Sequence, residues 1–578
     1  TALLESTKIR KRYIAKGSEN YISKIVNAEV KLSHLATAFS NYFEGGTRFS
    51  IKEFEINPFI FDSEGMLIAL DGYARFAERK PREGALDILS DDSVASFFEP
   101  RGIAVVGVSS SDTGKPGNII LKNLIQLNRN DIYGVNARGG NVLSAGKKIK
   151  LHKSILDIED RIDLAVITVP AGHALAVVQA CAVKNVKAVI LIPGGFGEVK
   201  KNLHIETRIL DVARKSDMRI MGPNCLGIVY AGNSETPGIN TFFIPEEKFS
   251  INLEKNKNVA VLSQSGALGI TEIYNLRHSI SPRVIVSYGN QLDVDVADLA
   301  AHFDHDVMVD VIGCYIEGFK PGAGRKFFNV AARSRKPLII YKAGRTKAGK
   351  QATESHTASI AGEYAVARAA MKQAGAIVAD SMIDHGDFIK TFALLSGFTV
   401  TGNKVAIIAN AGYEKTYAAD NIGDLELSEF DDKTIADLRY ILPEFVTAEP
   451  LLDLTPMASD EMFEKCMETV LKSDSVDALF VSIVPHGAVI HTTDDEIKQN
   501  TDNIAARIVR IVHKYKKPTA VSVNVVSGAD AVYNKFGQIL DSGGVPTFLT
   551  AKRAMVCLNA FIRYHRTQKD KVFSEWLK

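Results

Sequence analysis

His356 lies in "ATESHTASIAGEY", residues 352–364, among Ala, Ser, Thr and Gly side chains too small to shield an imidazole. Just upstream, "KAGRTKAGK" gathers Lys342, Arg345, Lys347 and Lys350 in a loop-like segment. A helix start with a chance histidine accounts for these residues, and so does an imidazole left open to an anion. Two further stretches bear on the choice. "CYIEGF" ends a buried-looking strand on Glu317, a carboxylate placed to accept a proton from an imidazole and fix its tautomer. "VLSQSGALG" puts Ser263, Gln264, Ser265 and Gly266 between a strand and a helix, where free N–H groups and the helix dipole attract an anion. Ser263 or Ser265 alone also fits an ordinary N-cap. Together, His356, Glu317 and that helix start describe a histidine nucleophile for phosphate.

A second anion site is expected at "IAVVGVSSSDTGKPGN", residues 103–118, a strand, a loop with Gly107 and Ser109, and a helix preceded by Lys115. The next strand ends in "YGVNARGG", with Asn136 and Arg138 where a dinucleotide-binding fold usually carries an acid for the ribose. That exchange favours an extra phosphate, as in coenzyme A or NADP; a structural turn accounts for the same residues. Near the front, "EFEINP" sets Glu53, Glu55 and Asn57 at period two on one strand face, and Asp71 in "ALDGY" lies on the returning strand. Two carboxylates and an amide oxygen suit Mg²⁺ with nucleotide phosphates, and a solvated strand face is the plainer reading.

Positioning these residues requires sheets. Between about residue 100 and the end, apolar runs alternate with helical stretches: "GIAVVGV", "DIYGVNA", "DLAVITVP", "KAVILIPGG" and "RIMGPN"; then "NVAVLSQSG", "RVIVSYGN", "MVDVIGCYIEG" and "PLIIYKAG"; then "KVAIIANAG", "VDALFVSIVP", "PTAVSVNVV" and "VPTFLTA". Continuous β-branched runs between helices predict parallel sheets covered on both faces. Several end in Gly, Ser or Asn, where a doubly wound fold has its ligand loops. The α/β domains are expected at 94–230, 255–400 and 402–570, the last two as candidates for an internal duplication, with 81–93 as a polar linker. Residues 1–80 read as a basic amphipathic segment, a helix, and two strands turning at "DSEG".

Of 578 residues, 46% are apolar and 24% charged, the balance of a soluble enzyme, and a net charge of +2 calls for neither nucleic acid nor a membrane surface. No apolar run approaches about 18 residues. The five cysteines have no metal-ligand spacing and are expected as reduced thiols in the cytoplasm. No secretory leader is seen, and the opening on Thr1 suggests a fragment or a processed product.

The motifs "SQSGALG", "YIEGF", "KAGRTKAGKQATESHTASIAGEY", "MGPNCLG", "YGVNARGGNVLS" and "EINPFIFDSEGMLIALDG" resemble the NDP-forming acyl-CoA synthetase superfamily over nearly the whole chain. The resemblance implies an α/β protein: a partial ATP-grasp domain at residues 1–80, a Rossmann-like CoA-binding domain and two flavodoxin-like ligase domains. It implies ligation of a small carboxylic acid to CoA with ATP converted to ADP and phosphate, through an acyl phosphate and a phosphohistidine. His356 is then the phosphorylated residue and Glu317 its orienting acid. Ser263, Gln264, Ser265 and Gly266 bind phosphate. Gly107, Ser109, Lys115, Asn136, Arg138, Pro170 and Asn224 bind CoA, and Glu55, Asn57 and Asp71 bind the magnesium of the nucleotide. Cys225 in "GPNC" becomes a small residue near CoA rather than a nucleophile. A homo-oligomer is expected. Two departures stand out: the glycine-rich and lysine elements that hold ATP are absent from the front, and "NAGYEKTYAADN" places Tyr413 and Glu414 where the superfamily commonly has Gly-Gly-Pro-Gly. A CoA-sensing protein that kept the scaffold without ligase activity is the competing expectation, and an NADP oxidoreductase leaves Ser263 and His356 without a role.

Overall fold

The computed structural model describes residues 19–40, 48–79, 91–199, 202–233, 236–249, 258–356, 363–524 and 531–569. The basic segment at 8–17 and residues 81–90 of the expected linker lie outside the described residues. The chain divides into two compact units, Thr1–Asp87 and Ile88–Lys578.

In the first unit a helix, Glu19–Ala38, accompanies two nested antiparallel ladders. The outer ladder pairs Phe49–Ile56 with Gly72–Glu78, and the inner pairs Phe59–Phe61 with Leu67–Ala69. The single expected hairpin is therefore a hairpin within a hairpin, broken at Pro58, which has no N–H for a ladder. "DSEG" turns the inner one. Asp62 accepts the N–H of Glu64 at 3.0 Å and of Met66 at 2.7 Å through one carboxylate oxygen, and Gly65 adopts φ +73°. The Tyr21 ring lies 4.4 Å from that of Phe61, packing the helix on the inner ladder.

The second unit contains three mainly parallel sheets among the described residues. The first runs, edge to edge, 219–221, 188–191, 164–167, 103–106, 132–135, 147–152, 140–144. Leaving out the last, antiparallel strand, this is the Rossmann order 3-2-1-4-5-6 read in reverse. The second sheet orders 284–287, 259–263, 311–316, 338–342 and 377–379 as the flavodoxin pattern 2-1-3-4-5. The third repeats that pattern with 426–427, 404–409, 478–483, 519–523 and 547–548. The strands expected from the sequence are present, because a strand buried on both faces must be apolar throughout.

Short or charged strands escaped that signal. The ribbon 140–144 and 147–152 carries Lys147, Lys148 and Lys150 at a sheet edge, where lysine is at home. Strand Gly227–Tyr230, assigned from sequence to the first α/β segment, instead pairs antiparallel with Val284–Ser287 of the second sheet. Residues 91–97 form a 3₁₀ helix ending on the buried Phe97, and the next residue, Phe98, is also buried, stacked on His302 at 5.1 Å. The second and third sheets share one core, in which Phe392 meets the Phe561 ring edge-on at 5.1 Å.

Candidate active site

In a doubly wound sheet the ligand crevice opens where strand order reverses, beyond the strands' C-terminal ends. In the second sheet that point lies between Val259–Ser263 and Val311–Ile316, where Ser263 is in register with Tyr315. The next residues of the two strands are Gln264 and Glu317, and they are joined. The Gln264 side-chain oxygen accepts the N–H of Glu317 at 2.8 Å and of Gly318 at 3.2 Å. Gln291 donates to the carbonyl of Gly318 at 3.2 Å from the other side. Both glutamines are buried, and the remaining amide atom of each has no partner among the described residues. Glu317 is itself only 7% exposed.

The helix Gly266–Leu276 starts two residues after Gln264, and its N-cap, Ser265, makes no side-chain cap bond. Its opening N–H groups therefore lack the side-chain acceptor expected of an ordinary N-cap. Ser263 is fully buried, with its hydroxyl turned back on the carbonyl of Ser265 at 2.5 Å, so it shapes the loop. Behind Glu317, Lys342 ends the neighbouring strand and donates to the carbonyls of Glu317 and Ala343, each at 2.7 Å. Burial pushes this ammonium down to about 8, the nearby Glu317 charge opposing. Burial and Glu317 hold the Tyr315 phenol well above its ordinary value. In the sequence Lys342 reads as one cation of a basic loop; its burial was not foreseen.

From Lys342 the chain passes through a short loop into the helix Lys347–His356, whose last residue is the candidate nucleophile. Residues 357–362 lie outside the described residues. One strand thus leads to Glu317 and the adjacent one to the helix of His356.

The first sheet has its own switch point, between 103–106 and 164–167. Gly107 follows the first of these strands at φ +107°, and a Cβ there would stand 2.4 Å from the Thr168 hydroxyl. Only glycine fits so close to the opposite strand end. Ser109 exchanges two 2.8 Å hydrogen bonds with Asn118, closing the loop over the helix Pro116–Gln126. Asn136 donates to the carbonyl of Val108 and accepts the N–H of Arg138 at 2.8 Å, joining two loops at the crevice. Lys115 and Arg138 are exposed at its rim, as is Pro170, the N-cap of the helix Ala171–Val183. Asn224 has a left-handed backbone (φ +57°), and its N–H meets the carbonyl of Pro193 at 3.0 Å. Cys225 is buried, its thiol pushed up to about 12 by burial, which suits a packing residue.

In the front unit Asn57 donates its side-chain N–H to Glu55 at 3.3 Å, and its backbone N–H to the carbonyl of Asp71 at 3.1 Å. Asp71 precedes the returning strand rather than lying within it, and its carboxylate accepts the N–H of Gly72. Glu53 is engaged by Arg75. Glu55, Asn57 and Asp71 are all exposed, with Asn57 joined to Glu55 through its side chain and to Asp71 through the backbone.

Residues 101–231 match a CoA-binding domain, and residues 256–392 a succinyl-CoA ligase-like flavodoxin domain. The alpha subunit of acetate–CoA ligase [ADP-forming] II from Pyrococcus furiosus is 33% identical over 459 residues, 78% of this chain and 93% of that subunit. The chain belongs to the ADP-forming acyl-CoA synthetase family. The acetate–CoA ligases [ADP-forming] of this family place CoA and an adenine nucleotide among its reactants. A solved acetyl-CoA synthetase of Candidatus Korarchaeum cryptofilum, in complex with phosphate and ADP, superposes with a TM-score of 0.71 at 32% identity, covering 82% of this chain and 97% of that one. A 4-hydroxybutyrate–CoA ligase [ADP-forming] of Nitrosopumilus maritimus is 28% identical, covering 83% of this chain and 64% of that protein. No described helix of this chain is long and apolar enough to cross a membrane.

The third sheet copies the device of the second. At its switch point Asn410 accepts the N–H of Val484 at 2.8 Å and donates to the carbonyl of the same residue at 2.9 Å. Helix Gly412–Ala419 follows, and its first turn departs from the family pattern. Glu414 is 1% exposed, with its carboxylate accepting from Ser482 at 2.8 Å and Asn524 at 2.7 Å. Tyr413 is exposed and receives the other contact of Asn524, at 2.7 Å. The Glu414 carboxylate points inward, satisfied by Ser482 and Asn524.

Proposed function

We propose that this chain carries out the phosphoryl and acyl transfers of an ADP-forming acyl-CoA synthetase on His356. The net reaction is acid + ATP + CoA ⇌ acyl-CoA + ADP + phosphate. Read from acyl-CoA, a phosphate oxygen attacks the thioester carbonyl; the C–S bond breaks, and CoA leaves as its thiol. The resulting acyl phosphate is attacked at phosphorus by an imidazole nitrogen of His356. Its P–O bond breaks to release the carboxylate, and the proton on the other imidazole nitrogen is stabilised by Glu317. Phosphohistidine then passes its phosphoryl group to ADP. Covalent catalysis divides one difficult transfer into easier ones.

The observation that carries this reading is the Gln264–Glu317 hydrogen bond at the switch point of the second sheet. It fixes an acid next to a helix start without a side-chain cap, at the sheet edge from which the His356 helix departs. The crevice formed by Gly107, Ser109, Lys115, Asn136, Arg138, Pro170 and Asn224 is assigned to CoA, with Lys115 and Arg138 facing its phosphates. Residues 1–80 are assigned to an ATP-grasp domain. Glu55, Asn57 and Asp71 would hold Mg²⁺, which neutralises nucleotide phosphate charge when bound. A homo-oligomer acting in the cytoplasm on a small carboxylic acid completes the reading. A panel of short, branched, hydroxylated and aryl acids with CoA and ATP, followed by ADP release and acyl-CoA formation, tests it. Acid-dependent production of both is expected; ATP hydrolysis without acyl-CoA for every acid overturns it.

A further inference from the structure

Lys342 is an unusual residue to find at the base of this site. The residue is nearly sealed from solvent, at 3% exposure, although a buried ammonium is costly unless its donors and charge are answered. Its two acceptors are backbone carbonyls, those of Glu317 and Ala343. The first belongs to the residue whose carboxylate is the candidate acid. The second opens the loop that leads to the His356 helix, and Ala343 also donates its N–H to the carbonyl of Ile316 at 2.9 Å. The two strand ends are therefore stitched together at consecutive positions, Ile316 to Ala343 and Glu317 to Lys342.

We propose that Lys342 is a positioning residue for phosphoryl transfer, clamping the Glu317 main chain to the loop that leads into the His356 helix. This rests on the reading of His356 as phosphoryl acceptor. Among the described residues, the charged group shown to act on the ammonium is Glu317, one position past its register partner Ile316 on the neighbouring strand. Tyr341 stacks on Tyr315 at 5.8 Å. Glu317 is the group whose charge opposes the effect of burial on Lys342. Because burial brings the ammonium down to about 8, the clamp is charged at neutral pH and loses its charge above that value.

The full chain is incubated with acetyl-CoA and radiolabelled inorganic phosphate, and the initial rate of His356 labelling is followed from about pH 6 to about pH 10. The wild-type rate is expected to fall above about pH 8. Lys342→Arg should keep activity and move the fall upward by at least about one pH unit, because a guanidinium stays charged. Lys342→Met should label at least about tenfold more slowly, without that alkaline limb and with CoA binding unchanged. A wild-type rate and limb in Lys342→Met would overturn the proposal. If that variant does not fold, a limb unmoved in Lys342→Arg overturns it equally. Absence of label from the wild type at every pH would instead overturn the phosphohistidine reading beneath it.

Discussion

Gln264 holds Glu317 by its main chain: one side-chain oxygen accepts the N–H of Glu317 at 2.8 Å and of Gly318 at 3.2 Å. Asn410 holds Val484 in the same way at the switch point of the third sheet. In both domains a buried amide side chain just past the first strand grips the backbone just past the third. The shared device supports a duplication relating the two domains, and it makes the position of Glu317 depend on a residue that need not touch substrate.

Gln264→Ala should therefore cost stability and activity together. It leaves the N–H groups of Glu317 and Gly318 without their acceptor, a loss of about 1–3 kcal/mol. The urea midpoint should fall, and labelling of His356 should slow even where the protein remains folded. An unchanged midpoint and rate would show that the Glu317 loop is held by other contacts.

Arg138→Ala should weaken CoA binding by about 1–3 kcal/mol, roughly 5- to 150-fold, the scale of a lost charge-assisted contact. Its exposed position at the crevice rim makes a folding defect an unexpected outcome. Calorimetric titration with CoA checks this. Equal affinity in the variant would remove Arg138 from the phosphate contacts.

His385 supplies a pH test of stability. It is 1% exposed and bonded to Glu272 at 2.5 Å and to the carbonyl of Ile339 at 3.1 Å. Burial alone would lower its pKa, but the Glu272 carboxylate outweighs it and raises the imidazole above its ordinary value. A group whose folded pKa is raised contributes stability that is full below the unfolded value, about 6.5, and lost as pH rises through the folded value. The urea midpoint of the wild type should thus drop with rising pH more steeply than that of His385→Gln. Parallel curves would mean that this pair carries no proton-linked stability.

Asp71→Ala should depress labelling of His356 by Mg-ATP and spare labelling by acyl-CoA and phosphate, since the latter uses the CoA and ligase domains. Both labelling rates, measured on the same preparation, decide it. Equal impairment of the two would make the front hairpin a structural support.

Much of this arrangement was legible in the residues. Parallel strands buried on both faces must be written in β-branched runs, so "NVAVLSQSG" and "MVDVIGCYIEG" announced strands, and glycine and serine at their ends announced loops. Which loops would meet was set by strand order, with 284–287 and 311–316 on opposite sides of 259–263. Only that order turns Gln264 toward Glu317. Lys342 was hidden for a related reason: a lysine after "LIIY" looks like a surface cation until its neighbours bury it. Glu414 was legible as an acid at a helix start, but its inward turn depended on Ser482 and Asn524, more than 60 and 100 residues downstream.

The central claim is that His356 carries the phosphoryl group, and site-mapping tests it most directly. After incubation with acetyl-CoA and inorganic phosphate, the protein is digested at alkaline pH and its phosphopeptides are sequenced by mass spectrometry. One acid-labile phosphoryl group on His356 is expected, absent from His356→Ala and discharged by ADP with formation of ATP. A phosphoryl group on another residue, or one that persists in His356→Ala, would contradict the account.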